Sequence, residues 1–220
     1  MNMGDITVAL IDYNMGNIRS IKNALEIFTE NVRVVSEGAE LGSPSAVVVP
    51  GVGSFGDGIK NLRQQGFIEP LCELIVDRKI PYLGICLGLQ FLADQSTEQG
   101  VHDGLGWISG EVTRIMPQNQ KHRVPHMGWN SVRFASDTDT VLFREFDTNG
   151  TFYFVHSYHL DPETIEHNQI TSTSWHGTKV TASIRQNNIF GVQFHPEKSQ
   201  AAGLKVIENF VQYVNRGGDL

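Results

Sequence analysis

Cysteine, long apolar runs and dense positive charge are all scarce in this sequence. The 220-residue chain holds two cysteines, Cys72 and Cys86. Two cysteines cannot build a disulfide framework, and free thiols persist in reducing compartments, so a cytoplasmic location is expected. The apolar run at residues 6–11 is too short for a signal sequence or a membrane span, and no membrane association is expected.

Charge and composition exclude further classes of protein. Lys and Arg number 17 against 24 Asp and Glu, which gives a formal net charge of −7 at pH 7. Binding to a phosphate backbone requires a basic stripe, so no nucleic-acid partner is expected. With 40% hydrophobic residues and 22 glycines, the composition is that of an ordinary globular protein. The length predicts one domain over residues 1–220.

The order of sequence patterns predicts an α/β fold. In the first half, short β-rich runs alternate with helical patterns, which predicts βαβ units. The predicted strands there are residues 6–12, 32–35, 46–49 and 82–85, and the helical runs are residues 18–28, 59–78 and 87–93. Later strand-like segments predict antiparallel additions at residues 132–134, 151–158, 180–184 and 189–194. A closing helix is expected over residues 201–213. The predicted fold class is a single-domain, flavodoxin-like α/β fold, with a mostly parallel central sheet flanked by helices.

The segment GICLG at residues 84–88 has the form of a nucleophile elbow with Cys86 at its centre. A nucleophile on a sharp strand-to-helix turn has a strained backbone, and side chains two residues away on either side would collide, so glycine fits there. The positive end of the following helix would favour the thiolate form of Cys86. The alternative is a buried structural cysteine, which is also how Cys72 is interpreted, since it lies in an apolar helical run.

A cysteine nucleophile needs a histidine base held by a carboxylate, and His195 and Glu197 offer that pair. In an extended segment, residues two apart project to the same side, so Glu197 can orient the imidazole of His195. A purely structural histidine is the alternative. A zinc site is rejected, because His122 and His126 lack the glutamate and third ligand of the metalloprotease pattern, and no metal is expected.

The stretch VVVPGVGSFGDG at residues 47–58 contains the letters G-x-G-x-x-G from Gly51. A dinucleotide site would need an acidic residue after the next strand, but that strand is followed by Cys86. No dinucleotide, and no other cofactor, is therefore expected. Backbone N–H groups around Val52 and Gly53 could instead form an oxyanion hole together with the amide of Leu87. A plain flexible loop is the alternative.

With these pieces assembled, the sequence resembles the class I (triad) glutamine amidotransferases. The resemblance is carried by six segments that span nearly the whole chain. They are IDYNMGN at residues 11–17, PGVGSF at 50–55, GICLGLQ at 84–90, VPHMGWN at 124–130, YFVHSYH at 153–159 and FHPEKS at 194–199. Within the family, the similarity is greatest to glutaminase subunits that supply ammonia to a separate (β/α)8 cyclase in histidine biosynthesis.

The resemblance implies a glutaminase with a Cys86, His195 and Glu197 triad. It also implies that glutamine is held by Gly51, Gly53, Gln90 and the backbone around Ser157 and Tyr158. Further, it implies a heterodimer with the cyclase, and five residues are interface candidates: Asn14, Asn17, Met127, Trp129 and Lys198. For Met127 and Trp129 the residues themselves give partial support, since exposed apolar and aromatic side chains anchor interfaces, although buried core positions remain an alternative.

Three other functions compete with this interpretation. A protein of the same lineage could feed ammonia to a different synthase, for example in surface-sugar biosynthesis. A protein of this fold could have become an inactive binding module, against which the intact triad argues. A cysteine hydrolase of peptides could share the elbow.

Overall fold

A nine-stranded mixed sheet organises the molecule, for which a computed structural model describes residues 6–119, 121–135 and 141–218. Its strands are β1 Thr7–Ile11, β2 Asn31–Val35, β3 Ala46–Gly51, β4 Tyr82–Cys86, β8 His126–Phe134, β9 Asn149–His156, β11 Ile170–Trp175, β12 Lys179–Gln186 and β13 Ile189–Val192. Their order is β2-β1-β3-β4-β13-β12-β11-β8-β9. Pairs from β2 to β13 are parallel, and pairs from β13 to β9 are antiparallel.

A small second sheet packs beside the main one. It has the order β10-β7-β5-β6, with β5 Gln95–Ser96, β6 His102–Asp103, β7 Glu111–Arg114 and β10 Tyr158–Leu160. The predicted strand over residues 151–158 is therefore two strands, because the chain leaves β9 after His156 and enters β10 at Tyr158. Ser157 lies between the two sheets.

Helices cover both faces of the parallel half of the main sheet. They are α1 Ile18–Leu25, α2 Phe55–Gln64, α3 Ile68–Cys72 with a π-helical turn Glu73–Asp77, α4 Leu87–Gln90 and α5 Gln200–Asn215. Val8 and Leu10 of β1 belong to the core that includes α1 and α5, whereas Ala9 and Ile11 face α2 and α3. Alternate residues of one strand thus fill two cores, as a sheet covered on both faces requires.

The prediction of one continuous helix over residues 59–78 was wrong. The chain turns at Gly66, whose φ of +71° interrupts the helical backbone, and α3 starts at Ile68. Glycine is the residue that takes this left-handed conformation without a steric penalty. Cys72, the last residue of α3, is exposed, so its interpretation as a buried core cysteine was also wrong. No helix within the described residues is both long and apolar enough to cross a bilayer.

Candidate active site

The turn at Cys86 has the strained geometry that the sequence predicts. Cys86 ends β4 with φ +55° and ψ −102°, a conformation that a residue with a side chain rarely adopts. A side chain at Gly84 would collide with the backbone of Gly88, and one at Gly88 would collide with the carbonyl of Val49. Both glycines are therefore required by close backbone approach, and Cys86 is held at 6% exposure.

The helix after Cys86 is shorter than predicted. The sequence predicted a helix over residues 87–93, but α4 ends at Gln90. The carbonyls of Phe91, Leu92 and Ala93 instead accept hydrogen bonds from the amides of residues 105–108. Because tertiary hydrogen bonds take over the backbone after a single turn, the helix contributes only the dipole of one turn at the sulfur.

His195 and Glu197 form a buried pair beside the elbow. Nδ1 of His195 lies 2.9 Å from Oε1 of Glu197, and the two side chains are 3% and 1% exposed. They meet through a 3-10 turn, Pro196–Lys198, and not through the continuous extended segment assumed from the sequence. Since Nδ1 donates to the carboxylate, Nε2 is the nitrogen left to face Cys86.

The charge state of His195 follows from its neighbours. Burial lowers the pKa of His195, but attraction to the Cys86 sulfur, followed by the contact with Glu197, outweighs burial and raises the pKa to about 10 from the usual 6.5. Nε2 of His195 has no hydrogen-bond partner of good geometry among the described residues. The raised pKa favours a protonated His195, which is attracted to the Cys86 sulfur without a hydrogen bond of good geometry.

The glycine-rich loop that begins at Gly51 lies next to the turn at Cys86, as expected for the carboxyl ends of neighbouring parallel strands. Gly51, the last residue of β3, is opposite Cys86 of β4 in the register. Gly53 has a φ of +105°. The N–H of Val52, however, donates to the carbonyl of Met15 at 3.1 Å. An N–H engaged in this way is not available to an oxyanion at Cys86.

A cavity of about 420 Å³ opens above the cysteine. Eight of the residues singled out from the sequence line it: Val52, Gly53, Cys86, Leu87, Gln90, Ser157, Tyr158 and Lys198. His195 and Glu197 are not in the lining, because both side chains are buried. The cavity combines a nucleophile, backbone amides and polar side chains in a volume suited to a small molecule.

Gln90 is held rigidly within this lining. Its Nε2 donates to the carbonyl of Tyr158 at 2.9 Å and to Oε1 of Gln193 at 3.0 Å. Because both amide hydrogens are used, only Oε1 of Gln90 is left to accept a hydrogen bond from a ligand.

Sequence comparison identifies the family. The model of the family described as "Glutamine amidotransferase class-I" matches residues 9–213. The chain belongs to the class I glutamine amidotransferases. This class I amidotransferase is 42% identical, over 216 residues, to the imidazole glycerol phosphate synthase subunit HisH of Zymomonas mobilis, covering 96% of this chain and 98% of that one. It is also 43% identical, over 212 residues, to the imidazole glycerol phosphate synthase subunit HisH of Moorella thermoacetica, covering 96% of this chain and 97% of that one.

Solved structures agree on the fold of this class I amidotransferase. One described as a glutamine amidotransferase superposes with a TM-score of 0.72 at 17% identity, covering 95% of this chain and 99% of the other. The glutaminase domain of Trypanosoma brucei CTPS gives a TM-score of 0.68 at 14% identity, covering 98% and 95%. At this identity the likeness supports the fold alone.

The amidotransferase site contains residues that the sequence interpretation missed. Glu98, Pro125, Val155 and His156 also line the cavity. Glu98 accepts a hydrogen bond from the Phe55 amide at the start of α2. No periodic pattern marks Glu98, whereas His156 lies in the motif YFVHSYH and could have been chosen from it.

A pair of buried histidines supports the cavity wall. Nδ1 of His156 lies 2.8 Å from the carbonyl of Tyr158, which can only accept, so this nitrogen donates. Burial and then repulsion from His126 keep the pKa of His156 well below its usual value. Nε2 of the neutral His156 therefore accepts from Nδ1 of His126, at 3.0 Å. For His126, burial and then repulsion from His176 and other histidines lower the pKa to about 3.

The predicted interface residues fall outside the cavity, apart from Lys198. Met127 and Trp129 are 62% and 49% exposed on the outer face of β8, so the alternative of core positions is excluded. Trp129 contacts the ring of Tyr153 edge-on, and Lys198 lies over the same ring with its Nζ 5.8 Å from the centroid. These side chains form one exposed surface next to the cavity.

Asn14 and Asn17 lie near the carboxyl end of β1, and both are exposed. Asn14 has a φ of +66°, and the Asn17 side chain caps α1 by accepting from the Ser20 amide at 3.4 Å. The cap gives Asn17 a structural role that is independent of any partner.

Proposed function

We propose that this chain is the glutaminase subunit of imidazole glycerol phosphate synthase, with a role in histidine biosynthesis. The observation that carries the glutaminase assignment is Cys86, strained at the end of β4, facing a buried His195 and Glu197 pair. The choice of synthase is supported by relatives of that name aligned over nearly the full length of both chains.

The site supports a thioester mechanism. The thiolate of Cys86 attacks the side-chain amide carbon of glutamine, and the proton held at Nε2 of His195 passes to the departing nitrogen, so that the C–N bond breaks and ammonia leaves. His195, now neutral, then takes a proton from water, which attacks the thioester carbon. Glutamate departs as the C–S bond breaks and the thiolate is restored. Glu197 keeps Nδ1 of His195 protonated and the ring oriented throughout.

The cavity lining supplies the groups that glutamine requires. Oε1 of Gln90 and the carboxylate of Glu98 can accept from the α-ammonium group of the substrate, and the backbone around Ser157 and Tyr158 lies along the same wall. The Leu87 amide is in the first turn of α4, which leaves it without an intrahelical acceptor, so it suits one half of an oxyanion hole. Gly51, Val52 and Gly53 would provide the other half.

The conformation of the glycine-rich loop after β3 is the reason to expect that the chain alone is a poor glutaminase. The Val52 N–H donates to Met15, and it must turn before it can stabilise an oxyanion. Losing one such donor typically slows turnover by about 10² to 10³. We expect low glutamine turnover from the isolated chain and strong stimulation when the cyclase binds its nucleotide substrate. Equal turnover with and without the cyclase would contradict this.

The partner in this proposal is a (β/α)8 cyclase that forms a heterodimer with the chain. Ammonia released at Cys86 would pass to the cyclase, which uses it to make imidazole glycerol phosphate and aminoimidazole carboxamide ribotide. The surface around Trp129, Met127 and Lys198 borders the cavity and is the proposed docking area. Asn14 and Asn17, exposed near the carboxyl end of β1, are further candidates for contact with the cyclase. Because Cys72 and Cys86 both carry free thiols, the site is suited to a reducing, cytoplasmic location.

The test is to mix the chain with the cyclase, glutamine and the nucleotide substrate and to measure glutamate and imidazole glycerol phosphate. Cys86→Ala should abolish both products, and Cys72→Ala, the matched cysteine control, should leave both unchanged. Glutamate formation that survives Cys86→Ala would refute the assignment. The names of the relatives do not favour a synthase of surface-sugar biosynthesis. Ammonia release from free glutamine but not from peptides would exclude a peptide hydrolase.

A further inference from the structure

Gln193 contacts the cysteine sulfur and is not a member of the Cys86, His195 and Glu197 triad. It lies two residues before His195, just beyond the end of β13, and its side chain is fully buried. Its backbone N–H donates to the carbonyl of Ala182 in β12, which fixes the residue in place. Nε2 of Gln193 is 3.5 Å from Sγ of Cys86, within hydrogen-bonding range for sulfur.

The orientation of the Gln193 amide is determined by its neighbours. The carbonyl of Tyr158 can only accept, so the nitrogen of the Gln90 amide must face it. The same nitrogen lies 3.0 Å from Gln193, whose oxygen must therefore accept from it. With its oxygen occupied, Gln193 can present only its NH2 group to the sulfur.

We propose that Gln193 is a further catalytic residue: its side-chain N–H stabilises the thiolate of Cys86, and Gln90 is the positioning residue that keeps the N–H turned toward the sulfur. This inference rests on the proposed function, in which Cys86 is the nucleophile. When the thiolate forms, the proton leaves Sγ for Nε2 of His195, and Gln193 keeps both of its amide hydrogens. A donor that faces the sulfur favours the charged form, whereas an amide oxygen there would favour the thiol.

Other charged and titratable groups surround the same sulfur and act on it in every variant. His195 faces it from the segment after β13, with Glu197 behind. Tyr13, two residues beyond the end of β1, is close enough to Cys86 for their charges to interact, but burial is the main reason that the pKa of Tyr13 lies well above its usual value. Glu98, His156 and Lys198 line the cavity above. Gln193 is uncharged, so it adds a hydrogen-bond donor aimed at the sulfur and no net charge.

The test is the pH dependence of Cys86 alkylation by iodoacetamide, followed by peptide mass spectrometry. Gln193→Leu removes the donor at similar size, and Gln193→Glu keeps an acceptor for Gln90 while placing a carboxylate oxygen at the sulfur. We expect the midpoint of the pH–rate profile to rise by about one pH unit in Gln193→Leu, since hydrogen bonds to charged acceptors are worth that much, and to rise further in Gln193→Glu. Alkylation of the exposed Cys72 in the same digest is the internal control and should not change.

If Gln193 acted only through packing, the midpoint would shift less in Gln193→Glu than in Gln193→Leu, because glutamate is closer in shape to glutamine than leucine is. Gln90→Leu, which leaves Gln193 in place but free to turn, should raise the midpoint by a smaller amount and provides a second test if a Gln193 variant fails to fold. Unchanged midpoints in the folded variants would overturn the proposal. Alkylation needs no glutamine, so failure of the glutaminase assignment would appear separately, as absent turnover by the wild-type chain with the cyclase.

Discussion

Individual residues at the elbow carry steric strain that the neighbouring glycines make possible. Cys86 keeps a φ of +55° because Gly84 and Gly88 let the backbone of α4 approach β4 and β3. The letters GICLG were sufficient to predict this turn. They did not reveal Gln193. The alternation assumed for His195 and Glu197 would also have pointed two residues back to Gln193, although the structure joins His195 and Glu197 through a 3-10 turn instead.

Gly88→Ala should destabilise the protein by about 3 kcal/mol, because the added methyl group would meet the carbonyl of Val49, and overpacked backbone has little room to relax. Denaturant unfolding measures the change. Gly16→Ala is the matched control, since a side chain there meets only ordinary contacts, and it should change the unfolding free energy by less than about 0.5 kcal/mol. Equal effects of the two substitutions would contradict the steric account.

His195 should remain protonated well above neutral pH in the folded chain. Its pKa is raised from 6.5 to about 10, so the stability it contributes is fully present below pH 6.5 and is lost as the pH rises toward 10. NMR titration of the imidazole nitrogens measures this directly. Cys86→Ala removes the largest interaction that raises the pKa of His195, so the midpoint of the His195 titration should shift to lower pH. A wild-type midpoint near 6.5 would contradict the attraction between His195 and the Cys86 sulfur.

At the scale of secondary-structure elements, the alternation of β-rich and helical runs predicted the parallel half of the sheet and the closing helix α5. The errors arose where tertiary contacts or a single glycine decide an element's end. Hydrogen bonds from residues 105–108 end α4 early, and a left-handed Gly66 separates α2 from α3. Neither cause leaves a signal in the hydrophobic period of the sequence.

Gly66→Ala should lower stability by about 1 kcal/mol, the usual cost of the left-handed conformation for a residue with a Cβ. No neighbouring atom lies close enough to clash, so the cost comes from the backbone alone. Gly66→Asn should cost less, because asparagine tolerates this conformation better. If alanine proved as stable as glycine in thermal unfolding, the turn would not be fixed by the left-handed φ.

At the scale of the whole molecule, the proposed docking surface reaches the cavity that contains Cys86, because Lys198 lines that cavity and lies over the ring of Tyr153, which Trp129 contacts. The triad depends on the meeting of Cys86 and His195, which are 109 positions apart in sequence. The elbow and the His-x-Glu pair suggested the triad, but only the fold brings the two segments together. The resting direction of the Val52 N–H could not be predicted, since a peptide plane beside glycine turns at little energetic cost. The exposure of Trp129 likewise depends on which face of β8 is covered.

Trp129→Ala should weaken binding of the cyclase by about 2 kcal/mol, because exposed aromatic anchors dominate interface energies. Ile27→Ala is the control, since Ile27 is 60% exposed just beyond the end of α1, which contacts β2 at the opposite edge of the main sheet. Isothermal titration calorimetry gives both affinities. An equal loss of affinity in both variants, or a loss only in the control, would show that the docking surface does not lie on β8.

The most direct test of the central claim is to quench the chain with acid during turnover with the cyclase, its nucleotide substrate and glutamine, and to map adducts by peptide mass spectrometry. We expect a glutamyl thioester, glutamine less ammonia, on the peptide that contains Cys86, and its loss in Cys86→Ala. Steady glutamate formation without that adduct, or an adduct on Cys72 instead, would contradict the assignment of Cys86 as the nucleophile.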